Sequence, residues 1–216
     1  SGQGNAVGGV VIDSGKFHWL GNSKFPSLST PSPEYNGLTF AETFGDLAYT
    51  MYSHAISLRD LGCTQSPMNA WISLNGIETL PLRMERHCSN GLAVAKFLEK
   101  QANVEWVSHA GLESSPYFEL GKKYLPEGTG SVFTFGVKGG YESGLKMLES
   151  VELFSHVANI GDTRSLILHP ASTTHRQLTE EQRIAAGAGP EVIRLSIGIE
   201  CVEDIISDLD QALNCL

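Results

Sequence analysis

Hydrophobic and polar positions change their spacing about half-way along the chain. Up to about residue 101 the apolar residues recur mainly at helical intervals, and beyond it they fall in short runs typical of strands. Strands joined by helices and loops indicate an α/β chain, with a sheet whose one face is covered by helices. The predicted elements of the second half are strands over residues 104–107, 131–137, 153–159, 164–168 and 191–200, and helices over 141–149 and 203–213.

The first half combines one apolar run, a long polar stretch and several helical segments. Residues 7–12, VGGVVI, are β-branched and flanked by glycine, which predicts a buried strand. Residues 13–45 are rich in Pro, Ser, Gly and Asn, which predicts a long irregular insertion. Gly62 is a suitable helix end and Ser66 a suitable helix cap. The predicted helices of this half span residues 40–61, 67–74 and 78–101.

The change of pattern after the predicted helix 78–101 indicates that this helix connects one domain to the next. The opening residues SGQG run straight into the predicted strand. A loop that enters a buried strand is typical of the middle of a domain, so we expect further sequence before Ser1.

Composition excludes some classes of function. Hydrophobic residues make up 41% of the chain and charged residues 18%, which is typical of a globular protein, and the net charge is −9. This acidity disfavours a basic face for nucleic acid, and the apolar runs are far too short to cross a membrane. The four cysteines have no C-x-x-C spacing, which favours free thiols in a reducing cytoplasm.

Arg194 is the first candidate for chemistry. Ile193, Leu195 and Ile197 alternate along the predicted strand 191–200, so Arg194 lies on its opposite, polar face. A guanidinium can bind a carboxylate through two parallel hydrogen bonds. The strand pattern alone favours a structural ion pair with an acidic neighbour over a ligand site, and it leaves both readings open.

A loop at residues 169–175, HPASTTH, groups two histidines with three hydroxyls. Histidine can serve acid–base chemistry or bind a metal, but no third ligand stands at a recognisable spacing, so we expect no metal site. Hydroxyls that hydrogen-bond to their own loop backbone are the structural alternative. Taken alone, the residues indicate an α/β chain with a candidate anion-binding wall in residues 158–175 together with Arg194.

Several longer stretches carry a family resemblance. The chain is similar to the C-terminal half of the pyridoxal-phosphate enzymes of cysteine and methionine metabolism, and within them to the O-acetylhomoserine sulfhydrylases, or aminocarboxypropyltransferases. The matching stretches are GNAVGGVVIDSGKFHW, SPMNAWISLNGIETLPLRMERHCSNGLAVAKFLE, VEWVSHAGLESSPY, FTFGVKGG, LFSHVANIGDTRSLILHPASTTHRQLT and RLSIGIECVEDIISDLDQAL.

This resemblance implies a fold, and it implies which active-site groups this chain supplies. It implies the C-terminal portion of a fold-type I transferase, in which residues 1–80 end the large cofactor-binding domain and residues 81–216 form a smaller α+β domain with a mainly antiparallel sheet. It places the Schiff-base lysine just before Ser1 and the other pyridoxal 5'-phosphate contacts further upstream. This chain would therefore hold no catalytic or cofactor-binding residue and would act with the N-terminal part of the same protein.

The resemblance also assigns roles to three positions. Arg194, in RLSIGIE, matches the arginine that holds the substrate α-carboxylate. Asn159, in ANIGD, matches a position that borders the same carboxylate, and Thr174, in HPASTTH, matches a threonine that lines the site. The implied reaction is γ-replacement on O-acetylhomoserine by sulfide or a thiol, which gives homocysteine or methionine and acetate. A cytoplasmic homotetramer, a dimer of dimers, is the implied assembly.

Two alternatives stay open. Within the family, a cystathionine γ-synthase or a methionine γ-lyase would share most of these motifs, although Asn159 and the insertion 13–45 favour a sulfhydrylase. Outside it, a non-catalytic α+β module for assembly or carboxylate binding would also fit the residue pattern.

Overall fold

The computed structural model describes residues 1–216, which form two compact units. The smaller unit is Val7–Ser73, and the larger consists of Ser1–Ala6 together with Leu74–Leu216.

The smaller unit is built from short helices around an aromatic cluster. Trp19 stacks on Tyr49 and meets Phe25 edge-on, while Phe40 is buried. The predicted helix 40–61 is present but broken, since one 3₁₀ turn and one π-helical stretch interrupt it, and Gly62 follows with φ of 70°. The helices in the chain up to residue 78 are α1 (Pro26–Ser29), α2 (Phe40–Phe44), α3 (Ala48–Tyr52), the π-helix Ser53–Asp60 and α4 (Pro67–Glu78).

The strand predicted over residues 7–12 is wrong. These residues pair with no strand, and Val7, Val10, Val11 and Ile12 are between 73% and 88% exposed. A β-branched run favours extended backbone, but a strand needs a neighbour for its N–H and C=O groups. No such neighbour lies alongside this run in the 216 residues.

The larger unit contains one four-stranded sheet. Its strands are β1 (Val104–Ser108), β2 (Val132–Val137), β3 (Leu166–Leu168) and β4 (Val192–Ser196). They run in the order β1-β2-β4-β3, and every neighbouring pair is antiparallel, as expected for the second part of the chain. Thr134 and Leu168 lie opposite Arg194 on either side, so that Arg194 occupies the middle of the sheet.

Helices cover one face of this sheet. Ile193, Leu195 and Ile197 are fully buried on that side, which confirms the alternation predicted for the strand. Apolar positions of the last helix, spaced by three or four residues, complete the same core, since Ile205 and Leu209 are also fully buried. The helices of this unit are α5 (Leu80–Leu98), α6 (Phe118–Tyr124), α7 (Gly140–Ser150), α8 (Glu180–Ala185) and α9 (Val202–Asn214).

The strand predicted over residues 153–159 is also wrong, and a buried carboxylate explains why. The backbone N–H groups of Glu152, Leu153 and Phe154 donate to the Asp208 carboxylate at 2.8, 2.9 and 3.3 Å. These amides are therefore withdrawn from sheet pairing, and only Ser155 makes an isolated bridge, to Leu166. One polar side chain on α9 thus overrides the local strand propensity.

Candidate functional site

Arg194 lies on the face of the sheet opposite to the buried side chains of Ile193 and Leu195. Thr134 of β2 and Leu168 of β3 flank it, because residues opposite each other in an antiparallel sheet project to the same side. Arg194 lines a narrow depression together with Val157, Asn159 and other residues of the 157–168 segment and β4. The arginine is thus held by a rigid strand.

The guanidinium has no acidic partner. The ion pairs in the structure are Lys122–Glu119 and Arg164–Asp162, and Arg194 takes part in neither. Its hydrogen-bond partner is the backbone carbonyl of Asn159, to which Nη2 donates at 3.3 Å. An arginine has five N–H donors, so most of them stay free for a ligand. The structural ion pair that the strand pattern favoured is therefore wrong.

Asn159 begins the turn of residues 159–164 beside Arg194. Its side-chain Oδ1 accepts a hydrogen bond from the Ile160 N–H at 2.9 Å, and its side chain also hydrogen-bonds to the Asp162 carboxylate. The structure therefore brings Asn159 and Arg194 together as predicted. Arg194 binds the main chain of Asn159, whereas the Asn159 side chain is hydrogen-bonded within the turn.

Asp162 is buried in this turn, with its side chain 3% exposed. Its Oδ1 accepts hydrogen bonds from the backbone N–H of Arg164 at 3.1 Å and from Arg164 Nε at 3.2 Å. Burial disfavours its ionised form, but the hydrogen bonds and charge of Arg164 and the hydrogen bond from Asn159 outweigh it and lower the pKa of the carboxyl. Asp162 is therefore an anion that belongs to the turn.

A second set of hydrogen bonds ties the turn to the end of β4. The Gly161 N–H donates to Ser196 Oγ at 3.2 Å, and the Ile199 N–H donates to the Thr163 carbonyl at 2.9 Å. Ser165 follows the turn, and its Oγ accepts from the Gly198 N–H at 2.9 Å and donates to the Glu200 carboxylate at 3.0 Å. The turn beside Arg194 is thus fastened to the strand that carries the arginine and to the segment after it.

In the loop at residues 169–175 some polar side chains hydrogen-bond to the protein backbone, whereas others are exposed. His169 is fully buried, with Nε2 at 2.8 Å from the Pro190 carbonyl and Nδ1 at 2.9 Å from Ser172 Oγ. Thr173 Oγ1 donates to the His169 carbonyl, so loop hydroxyls do satisfy their own backbone here. Thr174 is exposed, and its Oγ1 lies 2.8 Å from His175 Nδ1. No hydrogen bond joins Thr174 to Arg194 or Asn159.

The burial of His169 has a consequence for stability. Desolvation lowers the pKa of His169 below its ordinary value of 6.5, with a smaller contribution from the positive charge of Arg183. The unfolded chain then binds more protons than the folded one as pH falls through 6.5, so we expect the free energy of unfolding to decrease as the solution is acidified below that value. Burial lowers the pKa of His109 in the same way.

Urea denaturation at pH 7.5 and pH 5.5 checks this expectation. The difference in unfolding free energy between the two conditions is expected to shrink in His169→Gln, while exposed His18 supplies the control variant His18→Gln with an unchanged difference. An undiminished difference in His169→Gln would contradict the expectation.

The comparisons with known proteins decide the family. The model of the family described as Cys/Met metabolism PLP-dependent enzyme matches residues 1–214. The chain belongs to this family. It is 49% identical over 213 residues to homocysteine synthase of Schizosaccharomyces pombe, an alignment that covers 98% of this chain and 50% of that protein. It is 47% identical over 221 residues to O-acetyl-L-homoserine sulfhydrylase of Leptospira meyeri, with the same coverage.

A solved structure agrees with this assignment to the Cys/Met metabolism PLP-dependent enzymes. It is a crystal structure of an O-acetylhomoserine (thiol)-lyase from Campylobacter jejuni that carries N'-pyridoxyl-lysine-5'-monophosphate. The TM-score is 0.81 at 39% identity, over 90% of this chain and 46% of that one. The fold is therefore a portion of a pyridoxal-phosphate enzyme, as expected, and the chain spans about half the length of the curated relatives it matches.

The residues of this chain fit a carboxylate, and they do not fit the anchor of pyridoxal phosphate. All eight lysines are exposed, and none lines the depression around Arg194. A covalent anchor for the cofactor needs an amine inside a site, which none of these exposed lysines provides at Arg194.

Sequence reasoning overlooked two residues that support this site, Ser196 and Asp162. A signal existed for Ser196, because a residue two positions after Arg194 in a strand shares its face. The signal for Asp162 is the pattern G-D-T-R, in which an aspartate can hydrogen-bond to the backbone two residues on.

No helix of the structure combines the length and the hydropathy that crossing a membrane requires.

Proposed function

We propose that this chain forms the substrate-carboxylate side of an enzyme that catalyses γ-replacement on O-acetyl-L-homoserine. The second substrate is sulfide or a thiol. The Cγ–O bond to the acetyl group breaks, a Cγ–S bond forms, and the products are homocysteine, or methionine from methanethiol, and acetate.

The guanidinium of Arg194 carries this proposal. It stands on a rigid strand, it has no carboxylate partner in the chain, and one backbone carbonyl orients it. A planar fork of this kind suits the α-carboxylate of an amino acid. The proposal draws its substrate from the names of the relatives, homocysteine synthase and O-acetyl-L-homoserine sulfhydrylase.

In this proposal the chain positions the substrate and makes or breaks no bond. Arg194 binds the α-carboxylate, while Asn159 and Thr174 border the bound amino acid. Fixing the carboxylate sets the direction of the Cα–H bond and of the side chain that loses acetate, which is catalysis by orientation. The Schiff-base chemistry of pyridoxal phosphate belongs to residues outside these 216.

A product assay tests the proposed reaction. The holoenzyme is incubated with O-acetylhomoserine and sulfide, and homocysteine and acetate are quantified by mass spectrometry. We expect the two products in equal amounts, with homocysteine formation dependent on sulfide. Methionine incubated alone is expected to stay intact.

Other outcomes would identify a different function. Release of methanethiol and a 2-oxo acid from methionine would contradict the proposal in favour of a γ-lyase, and cystathionine formation with cysteine as the preferred donor would favour a γ-synthase. A preparation that binds no pyridoxal phosphate and turns over none of these amino acids would contradict an enzymatic role altogether.

The proposal extends to assembly and location. A homotetramer, built as a dimer of dimers in the cytoplasm, is the arrangement that the family resemblance implies. Light scattering of the purified holoenzyme measures the assembly directly, and a monomer would contradict it.

A further inference from the structure

Two buried polar side chains fasten the turn at residues 159–164 to the strand that carries Arg194. They are Ser196, which is 2% exposed, and Asp162, which is 3% exposed. Neither is hydrogen-bonded to Arg194, and both act on the turn whose first residue accepts the hydrogen bond of the guanidinium.

Ser196 connects the turn to β4. It lies two residues after Arg194 and shares its face of the strand, and its Oγ accepts the Gly161 N–H at 3.2 Å. Arg194 itself donates to the carbonyl of Asn159. The turn is therefore joined to one strand at two neighbouring points, which fixes the position of the Asn159 carbonyl relative to the guanidinium.

Asp162 stiffens the turn from within. Its carboxylate accepts hydrogen bonds from the backbone N–H, Nε and Nη2 of Arg164, and it also binds the side chain of Asn159. Hydrogen bonds to an ionised acceptor are stronger than neutral ones. The conformation of Asn159 is thereby set on both its main chain and its side chain.

We propose that Ser196 and Asp162 are positioning residues for recognition of the substrate carboxylate. They hold the Asn159 carbonyl at the place where one N–H of Arg194 binds it, so that the remaining N–H groups face the ligand in a fixed orientation. This inference rests on the proposed function, because it assumes that an amino-acid carboxylate is the ligand of Arg194.

This role predicts different effects on KM and on kcat. Loss of either residue leaves the guanidinium in place but frees its orientation, so binding of the amino acid weakens while the bond-making groups stay untouched. We expect KM for O-acetylhomoserine to rise about tenfold in Ser196→Ala and in Asp162→Asn, with kcat changed less than about twofold.

The experiment compares these variants with Ser165→Ala in the holoenzyme. Ser165 is fully buried, and its Oγ accepts the Gly198 N–H at 2.9 Å and donates to the Glu200 carboxylate at 3.0 Å. The variant therefore loses two buried hydrogen bonds, neither of which involves residues 159–161. Melting temperatures of all variants are recorded beside KM and kcat. We expect Ser165→Ala to lower the melting temperature and to keep the wild-type KM.

The outcomes distinguish a positioning role from a general loss of stability. An equal rise of KM in Ser165→Ala, or an unchanged KM in folded Ser196→Ala and Asp162→Asn, would overturn the inference. If Ser196→Ala does not fold, Asp162→Asn decides alone. Arg194→Ala is measured in the same assay, since an unchanged KM in that variant contradicts the proposed function itself, whereas a raised KM there with no effect at the two other positions contradicts only the positioning role.

Discussion

Replacing Arg194 by alanine is expected to raise KM for O-acetylhomoserine about 100-fold, which corresponds to about 3 kcal/mol of lost binding. The guanidinium has no carboxylate partner in the chain, so its removal leaves the substrate carboxylate without its cation. Arg194→Lys is expected to recover only part of the affinity, because an ammonium group keeps the charge but lacks the planar fork.

Two controls accompany this variant. The visible absorbance of bound pyridoxal phosphate is expected to match the wild type, since no residue of this chain anchors the cofactor in our account. Arg86→Ala removes an exposed arginine of α5 and is expected to leave KM unchanged. A wild-type KM in Arg194→Ala, or loss of the cofactor from it, would contradict the assigned role.

Replacing Asp208 by alanine is expected to destabilise the larger unit by about 3–4 kcal/mol. The Asp208 carboxylate is 7% exposed and accepts the N–H groups of Glu152, Leu153 and Phe154. An alanine removes the acceptor, so these partly buried donors lose their partner on folding. Burial makes this more costly than the loss of a surface hydrogen bond.

Equilibrium urea unfolding of the holoenzyme variants measures this effect. Asp210→Ala is the matched control, because Asp210 lies on the same helix but is exposed and accepts a single long hydrogen bond from Asn214, at 3.4 Å. We expect the control to change the unfolding free energy by less than about 0.5 kcal/mol. Equal destabilisation of both variants would refute the structural role of Asp208.

The periodic elements were predictable because their packing repeats in the sequence. The alternation of Ile193, Leu195 and Ile197 gave the central strand, and the helical spacing that ends at Leu213 gave α9. The same alternation placed Arg194 on the opposite face of the sheet. Local pattern and tertiary packing agree at these positions, which is why they could be predicted.

The wrong predictions concern residues whose structure depends on residues far away in the sequence. Residues 153–159 have the composition of a strand, but Asp208, more than fifty residues later, binds the amides of Leu153 and Phe154 at its start. The run 7–12 lacks a neighbouring strand, which no local pattern reveals. The missing ion pair of Arg194 belongs to the same class, because only the folded chain shows which charges come close.

One measurement tests the central claim most directly, namely that Arg194 recognises the carboxylate of the substrate. The ratio of kcat/KM for O-acetylhomoserine to that for its carboxamide, which lacks the negative charge, is determined for the wild type and for Arg194→Ala. The account predicts a strong preference of the wild type for the acid, of about 100-fold, and a nearly complete loss of this preference in Arg194→Ala. An equal preference in the two proteins would contradict it.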